Sequence, residues 1–186
     1  MTGTPGTGKT TFARRLACEL NAEYLSLGNY ITRRRLFSRL DERRSTRVVD
    51  MAKTRRQVRR LTAAINNCPL VVDTHHPEGI IPNKMATIVF VLRCNPVILR
   101  RRLRRKKWSR KKIRENVMAE TLDSCYIHAA SYYAMKKLVQ LDTSHSTPER
   151  SVRTAKSILS GGKAPILKVN WLRNLESDLS LSKLLG

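Results

Sequence analysis

The sequence predicts an α/β fold, a parallel sheet flanked by helices with a phosphate-binding loop at its head. Three observations predict it. Gly3-Thr4-Pro5-Gly6-Thr7-Gly8-Lys9-Thr10 carries the spacing G-x-x-x-x-G-K-[ST] at every fixed position. "CPLVVD" (68–73), "TIVFVL" (87–92) and "KLVQLD" (137–142) are apolar, mostly β-branched runs too short for helices, as expected of parallel strands covered on both faces. Stretches of helical period separate them, and strands alternating with helices make a doubly wound parallel sheet.

Taken in order, residues 10–20 place Phe12, Leu16 and Leu20 on one helix face. "EYLSL" (23–27) reads as a short strand stopped by Gly28 and Asn29. The arginine-rich "ITRRRLFSRLDERRS" is expected to be helical at first and then looped. Ser45 or Thr46 is expected to cap a long helix towards Asn66, with Val49, Ala52, Val58, Leu61 and Ile65 as its apolar positions. Asn95-Pro96 opens a helix carrying "ILRRRLRRKK". Ser109 caps the next one, read through to Tyr133. Thr147-Pro148-Glu149 starts a closing helix that fades at Gly161-Gly162. Residues 1–160 form one domain; residues 161–186 are a linker and tail, with Asn170 as cap of a short helix bearing Leu172, Leu175 and Leu179 on one face.

Lys and Arg number 37 against 14 Asp and Glu, a net charge of +23. Such a surplus exceeds the needs of a nucleotide and suits RNA or a ribosomal particle, although a basic lineage-wide proteome would give the same surplus. With only 5% Phe, Trp and Tyr, no RNA-binding motif with interleaved aromatics is visible, so sequence-specific readout is not indicated. Cys18, Cys68, Cys94 and Cys125 are widely spaced, sit in apolar stretches and are expected to be small buried side chains. Neither they nor the four histidines show metal-ligand spacing. No apolar run approaches membrane-spanning length and no signal peptide is visible, so a cytoplasmic location is expected.

The opening loop carries the chemistry. Its glycines let backbone N–H groups turn inward around a β-phosphate, and the helix that follows adds the positive end of its dipole. Lys9 is expected to bridge the β- and γ-phosphates, and the Thr10 hydroxyl to join a Mg²⁺ shell. A large ring-forming ATPase would need Asp-Glu at a strand end, whereas here the strand gives "LVVDTHH".

The order and spacing of "TGTPGTGKTT", "VVDTHHPEGIIP" and "VFVLRCNPVILRRRLRRKKWSRKKIRENVMAE" resemble the atypical adenylate kinases that double as ribosome-assembly factors. These are the archaeal adenylate kinase homologues similar to the eukaryotic nuclear adenylate kinase isoenzyme 6. The likeness runs from Thr2 to about Leu159. It implies a P-loop NTPase of the nucleoside monophosphate kinase type, with five parallel strands, a monophosphate-binding arm at about 26–46 and a lid at about 105–115. The implied activity is reversible transfer of the ATP γ-phosphate to AMP or another nucleoside monophosphate, with a slower ATPase activity. The implied partners are the small-subunit protein uS11 and rRNA or a pre-30S particle, in late small-subunit maturation. A nucleotide-switched assembly ATPase with vestigial kinase activity is the alternative.

Carried over by position, Gly6, Gly8, Lys9, Thr10 and Thr11 fall on the ATP-binding loop. Asp73 and His75 match the family's strand-end motif: Asp73 to hold Mg²⁺ through water, His75 to orient the γ-phosphate or a water. The same pair would also serve as an ordinary polar strand end that caps a turn. Gly28, Asn29 and Arg47 are the monophosphate candidates and Arg102 a phosphate clamp; Arg47 reads equally as a solvated helix residue. Two departures stand out. Gly28-Asn29 lacks the family's Asp, and Lys106-Lys107-Trp108 puts a lysine, Lys106, where the lid carries an Arg whose forked guanidinium would bind phosphate bidentately. Finally, the loop begins too early to follow a normal first strand, so that strand is expected to be absent from this chain, either because the start is placed late in the gene, the preferred reading, or because the chain is a degenerate copy.

Overall fold

The computed structural model describes residues 1–41, 46–65, 68–164 and 170–176, with the side chains of 39–41, 46, 47 and 174–176 outside the description. Its helices and parallel strands follow the predicted alternation. Strand β1 (Thr2–Gly3) leads through the loop into α1 (Lys9–Glu19), then β2 (Glu23–Ser26) and α2 (Leu27–Arg33). A hairpin of β3 (Phe37–Asp41) and β4 (Thr46–Val49) precedes α3 (Met51–Ala64) and β5 (Leu70–Asp73). The second half runs β6 (Val89–Arg93), α4 (Pro96–Arg104), α5 (Arg110–Thr121), α6 (Ser124–Tyr132), β7 (Leu138–Asp142), α7 (Pro148–Leu159) and α8 (Trp171–Glu176).

Contrary to expectation, the first strand is present, though only two residues long. Thr2 pairs in parallel with Val91 and Gly3 with Leu92, giving the order β1-β6-β7. β2 and β5 form a second parallel ladder, Ser26 opposite Asp73. Met1 joins the two: its ammonium donates to the Val72 carbonyl at 2.7 Å, and its carbonyl accepts from Thr74 N–H at 3.3 Å. Behind Met1, between β5 and β6, lies a cavity of about 470 Å³ lined by Val71, Ile88, Phe90, Leu16 and Leu159 among others. The two residues of β1 pair the loop with β6. Burial pushes the Met1 amine down to about 6.

Alternation along β6 explains both cores. Phe90 and Leu92 face α1 and α7, where they pack with Phe12, Leu16, Val152 and Ala155; the Phe12 and Phe90 rings meet edge to face at 5.8 Å. Val89 and Val91 face α6 through Ala129 and Tyr133. A third cluster, Leu99, Leu103, Ile113 and Val117, joins α4 to α5. Burial of whole aliphatic side chains at this level contributes roughly 1.5–3 kcal/mol each.

Several local expectations are corrected. Where a loop and an early helix start were predicted, β3 and β4 pair antiparallel, and α3 begins at Met51 under an Asp50 cap whose carboxylate accepts from Lys53 N–H at 2.9 Å. Arg47 therefore sits in a strand backbone and not in a helix; its side chain lies outside the described residues. Gly28 and Asn29 do not stop β2 but occupy the first turn of α2. The long helix predicted after Ser109 breaks at Asp123, whose φ of 55° starts α6 afresh. Cys18 and Cys68 are exposed, not buried. Asn170 does cap α8, accepting from Arg173 N–H at 2.9 Å, but Trp171 is the buried residue there and Leu172 is exposed; Leu179 lies outside the described residues, and so does the Leu175 side chain.

Candidate nucleotide site

The predicted loop closes around one carbonyl. Thr4 O accepts from Thr7 N–H at 3.2 Å, from the Thr7 hydroxyl at 2.9 Å and from the Lys9 ammonium at 3.0 Å. Three glycines permit the turn for different reasons. A Cβ on Gly3 would lie 2.5 Å from Leu92 O; on Gly6 it would lie 2.8 Å from Leu103 and 2.9 Å from Leu99. At Gly8, with φ of 93°, a Cβ would meet nothing within 4 Å. Gly8 thus opens onto free space at the N-terminus of α1, where backbone donors and the helix dipole favour an anion.

Lys9 is almost fully buried. Burial is the chief cause that lowers its pKa to about 8; Asp73 opposes the shift and Lys106 adds to it. Lys106, in the turn after α4, is thereby close enough to be felt at the loop, and its ammonium lies 5.6 Å from the Trp108 ring centroid. Lys112, whose backbone N–H donates to the Ser109 cap of α5, sits nearer the same ring, at 4.1 Å. Of the expected lid, Arg105–Ser109 is a turn and 110–115 already belongs to α5.

Asp73 ends β5 next to β1, which brings it to the loop. The Thr10 hydroxyl donates to its carboxylate at 2.7 Å and Tyr24 OH reaches the same oxygen at 3.3 Å. Two hard oxygens side by side at the foot of an anion cradle are the donor set Mg²⁺ takes when it also holds phosphates, so Thr10 and Asp73 fit that ion. His75 Nδ1 lies 3.2 Å from Gly3 O. A carbonyl only accepts, so the neutral ring carries its proton on Nδ1 and keeps a lone pair on Nε2. Although His75 retains exposed surface, loss of solvent around the ring and then the Lys9 charge hold its pKa at about 4.

Arg102 faces a different wall. Its guanidinium donates to Thr143 O at 2.7 Å and Ser144 O at 3.1 Å, and with Gly6, Thr7, Gly8 and Thr11 it lines a pocket of about 200 Å³. Gly28 and Asn29 are exposed on α2, just past the strand end that pairs with Asp73. The fold therefore gathers Lys9, Thr10, Asp73 and His75 at one side of the loop, with Gly6, Gly8, Thr11 and Arg102 on the adjoining pocket.

Sequence reasoning missed the group that fixes the loop from behind. Arg93, 1% exposed at the end of β6, donates to Glu120 Oε1 at 2.9 Å, to Gln140 at 2.7 Å and to Asp123. Glu120 in turn accepts from Thr4 Oγ1 at 2.5 Å and from Cys94 N–H at 3.0 Å. The Thr143 hydroxyl lies 2.8 Å from both Thr7 O and Arg93 O. Arg93 and Thr143 stand at strand ends, where open α/β sheets place ligand-facing residues, and that rule would have flagged them; nothing local marks Glu120.

Residues 1–123 match the family model described as an AAA domain. Over 184 residues the chain is 33% identical to a "Putative adenylate kinase" of Sulfurisphaera tokodaii, covering 98% of this chain and 90% of that one. A protein of the same name from Pyrobaculum aerophilum is 32% identical over 172 residues, 92% of this chain and 84% of its own. The chain belongs to this archaeal adenylate kinase-like P-loop family. Among solved structures, shikimate kinase from Bacteroides thetaiotaomicron superposes with a TM-score of 0.56 at 19% identity, over 86% of this chain and 96% of that one. That likeness shows a shared fold. No helix among the described residues is long and apolar enough to cross a membrane.

Proposed function

We propose that this chain transfers the γ-phosphate of Mg·ATP to AMP or a related nucleoside monophosphate. The observation that carries the reading is the Lys9 ammonium held on the Thr4 carbonyl of the phosphate loop, with the Thr10 hydroxyl and Asp73 carboxylate bonded to each other at the start of α1. Phosphoryl transfer asks chiefly for positioning and positive charge around the moving group. On arrival of a triphosphate, Lys9 leaves the Thr4 carbonyl for the β- and γ-oxygens. Thr10 and Asp73 would hold Mg²⁺, which would supply positive charge to neutralise those oxygens. Arg102 and Thr11 line the adjoining pocket for the rest of the nucleotide. Lys106 brings lid charge over the γ-phosphate, and Trp108 packs the turn that carries it. Gly28, Asn29 and Arg47 belong to the arm that receives the monophosphate.

A second reading, an ATPase that acts in small-subunit maturation with uS11 and rRNA as partners, is favoured by two observations. The neutral His75 has a lone pair on Nε2 with which to orient water, and exposed cations crowd α3 (Arg56, Arg59, Arg60) and the α4–α5 turn (Arg104, Arg105, Lys107). Product analysis with Mg·ATP, with and without AMP, separates the two. ADP formed in AMP-dependent excess over released phosphate is expected, and Lys9→Ala should abolish it. Phosphate release indifferent to AMP would overturn the kinase reading in favour of the ATPase.

A further inference from the structure

His76, Glu78 and His128 are a second cluster of chemistry-bearing side chains, used by none of the steps above. One ligand atom from each lies within 4.8 Å of the others. His76 Nδ1 is 2.9 Å from Glu78 Oε1, and the two imidazole rings stand 6.0 Å apart at their centroids. His76 and His128 are exposed and Glu78 is half-buried, so an ion has a free entry path.

The supports are fixed on both sides. His76 and Glu78 flank Pro77, whose carbonyl accepts from Ile80 and Ile81 N–H at 3.2 and 2.9 Å, closing a tight turn with Gly79 at φ of 75°. His128 stands in the middle of α6. The end of α6 is tied to the same turn by Tyr133 OH, which donates to Ile81 O at 2.8 Å, and by Ala134 N–H, which reaches Asn83 Oδ1 at 3.4 Å. Lys137 fastens the next stretch by donating to the Asn83 and Ala86 carbonyls, both at 2.6 Å. The turn and the helix cannot separate without breaking these bonds, so the three ligands are presented together before any ion arrives.

We propose that His76, Glu78 and His128 bind a divalent transition-metal ion, Zn²⁺ in the first place, as a clip between the loop after β5 and α6. Two imidazoles and a carboxylate are a zinc donor set, with water completing the shell. Zn–N bonds of about 2.0–2.1 Å put tetrahedral ligand atoms roughly 3.4 Å apart. The exposed rings close the remaining gap by rotation about their own side-chain bonds. Ligand chemistry sorts the two cations of the molecule: hard oxygens at Thr10 and Asp73 suit Mg²⁺, whereas imidazole nitrogen is a poor Mg²⁺ ligand and a good Zn²⁺ one. The clip would hold Asp73 and His75, which open the same loop, against the helix opposite.

The test uses chelator-treated full-length protein without nucleotide, so it stands or falls apart from the kinase reading. Co²⁺ is added as a spectroscopic probe and Zn²⁺ by calorimetric titration, both with millimolar Mg²⁺ present. One equivalent of Co²⁺ should give visible absorption bands that one equivalent of Zn²⁺ removes. His128→Ala and Glu78→Gln, checked for folding by circular dichroism, should each weaken Zn²⁺ at least tenfold, while His145→Ala binds as wild type. No bands and no binding heat from the wild-type protein would overturn the proposal, and so would Zn²⁺ affinity unchanged in both variants.

Discussion

Replacing Arg93 by methionine removes the guanidinium from a pocket in which both partners of its ion pair with Glu120 are 2% exposed at the side chain. Glu120 is then a buried carboxylate without its cation, though it still accepts from Thr4 Oγ1 and Cys94 N–H. Breaking a buried pair in this way costs about 3–5 kcal/mol. The two retained bonds, each of order 1 kcal/mol, put the expected loss at the lower end, about 3 kcal/mol. For a domain of this size that is a fall in Tm of roughly 6–12 °C. Urea or thermal unfolding followed by circular dichroism measures it.

A second substitution tests the cause. In Arg93→Met/Glu120→Gln the amide oxygen at 120 still accepts from Cys94 N–H, its NH2 donates to the Thr4 hydroxyl where the second carboxylate oxygen accepted, and the side chain carries no charge. The double variant should recover stability to within about 1.5 kcal/mol of wild type, because the penalty lies in the uncompensated charge and not in lost packing. Asp123, 30% exposed at the side chain, can be solvated when Arg93 leaves. Wild-type stability in Arg93→Met, or a double variant as unstable as the sum of its singles, would refute this account of what holds the loop.

Two further outcomes are expected at the loop itself. Gly6→Ala meets Leu103 and Leu99 below 3 Å at φ of 95°, and should lose about 1–3 kcal/mol of stability; Gly8→Ala carries similar backbone strain with open space around it, so its added loss should be in ATP affinity, and equal effects of the two on ATP binding and stability would count against this geometry. ATP binding should also weaken with pH: burial lowers the Lys9 pKa to about 8, its ammonium is the form that pairs with phosphate, and deprotonation one unit higher leaves about a tenth of it. Fluorescence titration of an ATP analogue should therefore show affinity nearly flat below pH 7.5 and roughly tenfold lower at pH 9, with the slope absent in Lys9→Ala; a flat wild-type profile would contradict it.

What was legible in the sequence is what local chemistry decides. The caps at Asn95, Ser109 and Thr147 accept the backbone bonds their positions promise. The apolar runs around Val71, Phe90 and Val139 became parallel strands because a short run of that kind has no better arrangement than burial on both faces. The failures are tertiary. Nothing local to residues 110–133 forbids one continuous helix; the break at Asp123 accompanies a contact with Arg93 from another strand. The hairpin of β3 and β4 was hidden because "FSRLD" and "TRVV" offer little apolar alternation to set against an arginine-rich context. His76 and His128 show no ligand spacing in the sequence, and only the fastening of α6 to the loop after β5 brings them together.

The same distinction bears on what holds the phosphate loop in place. Here β1 supplies two residues of pairing with β6, and the remaining constraints come from the sides. Met1 spans to β5 through two backbone bonds, Thr2 Oγ1 donates to His75 O at 2.7 Å, and His75 returns a bond to Gly3. Behind the loop, Glu120 holds Thr4 while Arg93 compensates its charge, and Thr4 O is the atom on which Thr7 and Lys9 converge. The position of Lys9 is thus set by a buried ion pair as much as by the sheet. A buried pair depends on geometry and on every remaining lone pair being satisfied, so disturbance at Arg93 or Glu120 should reach the phosphate loop before it reaches the hydrophobic core between α1, β6 and α7.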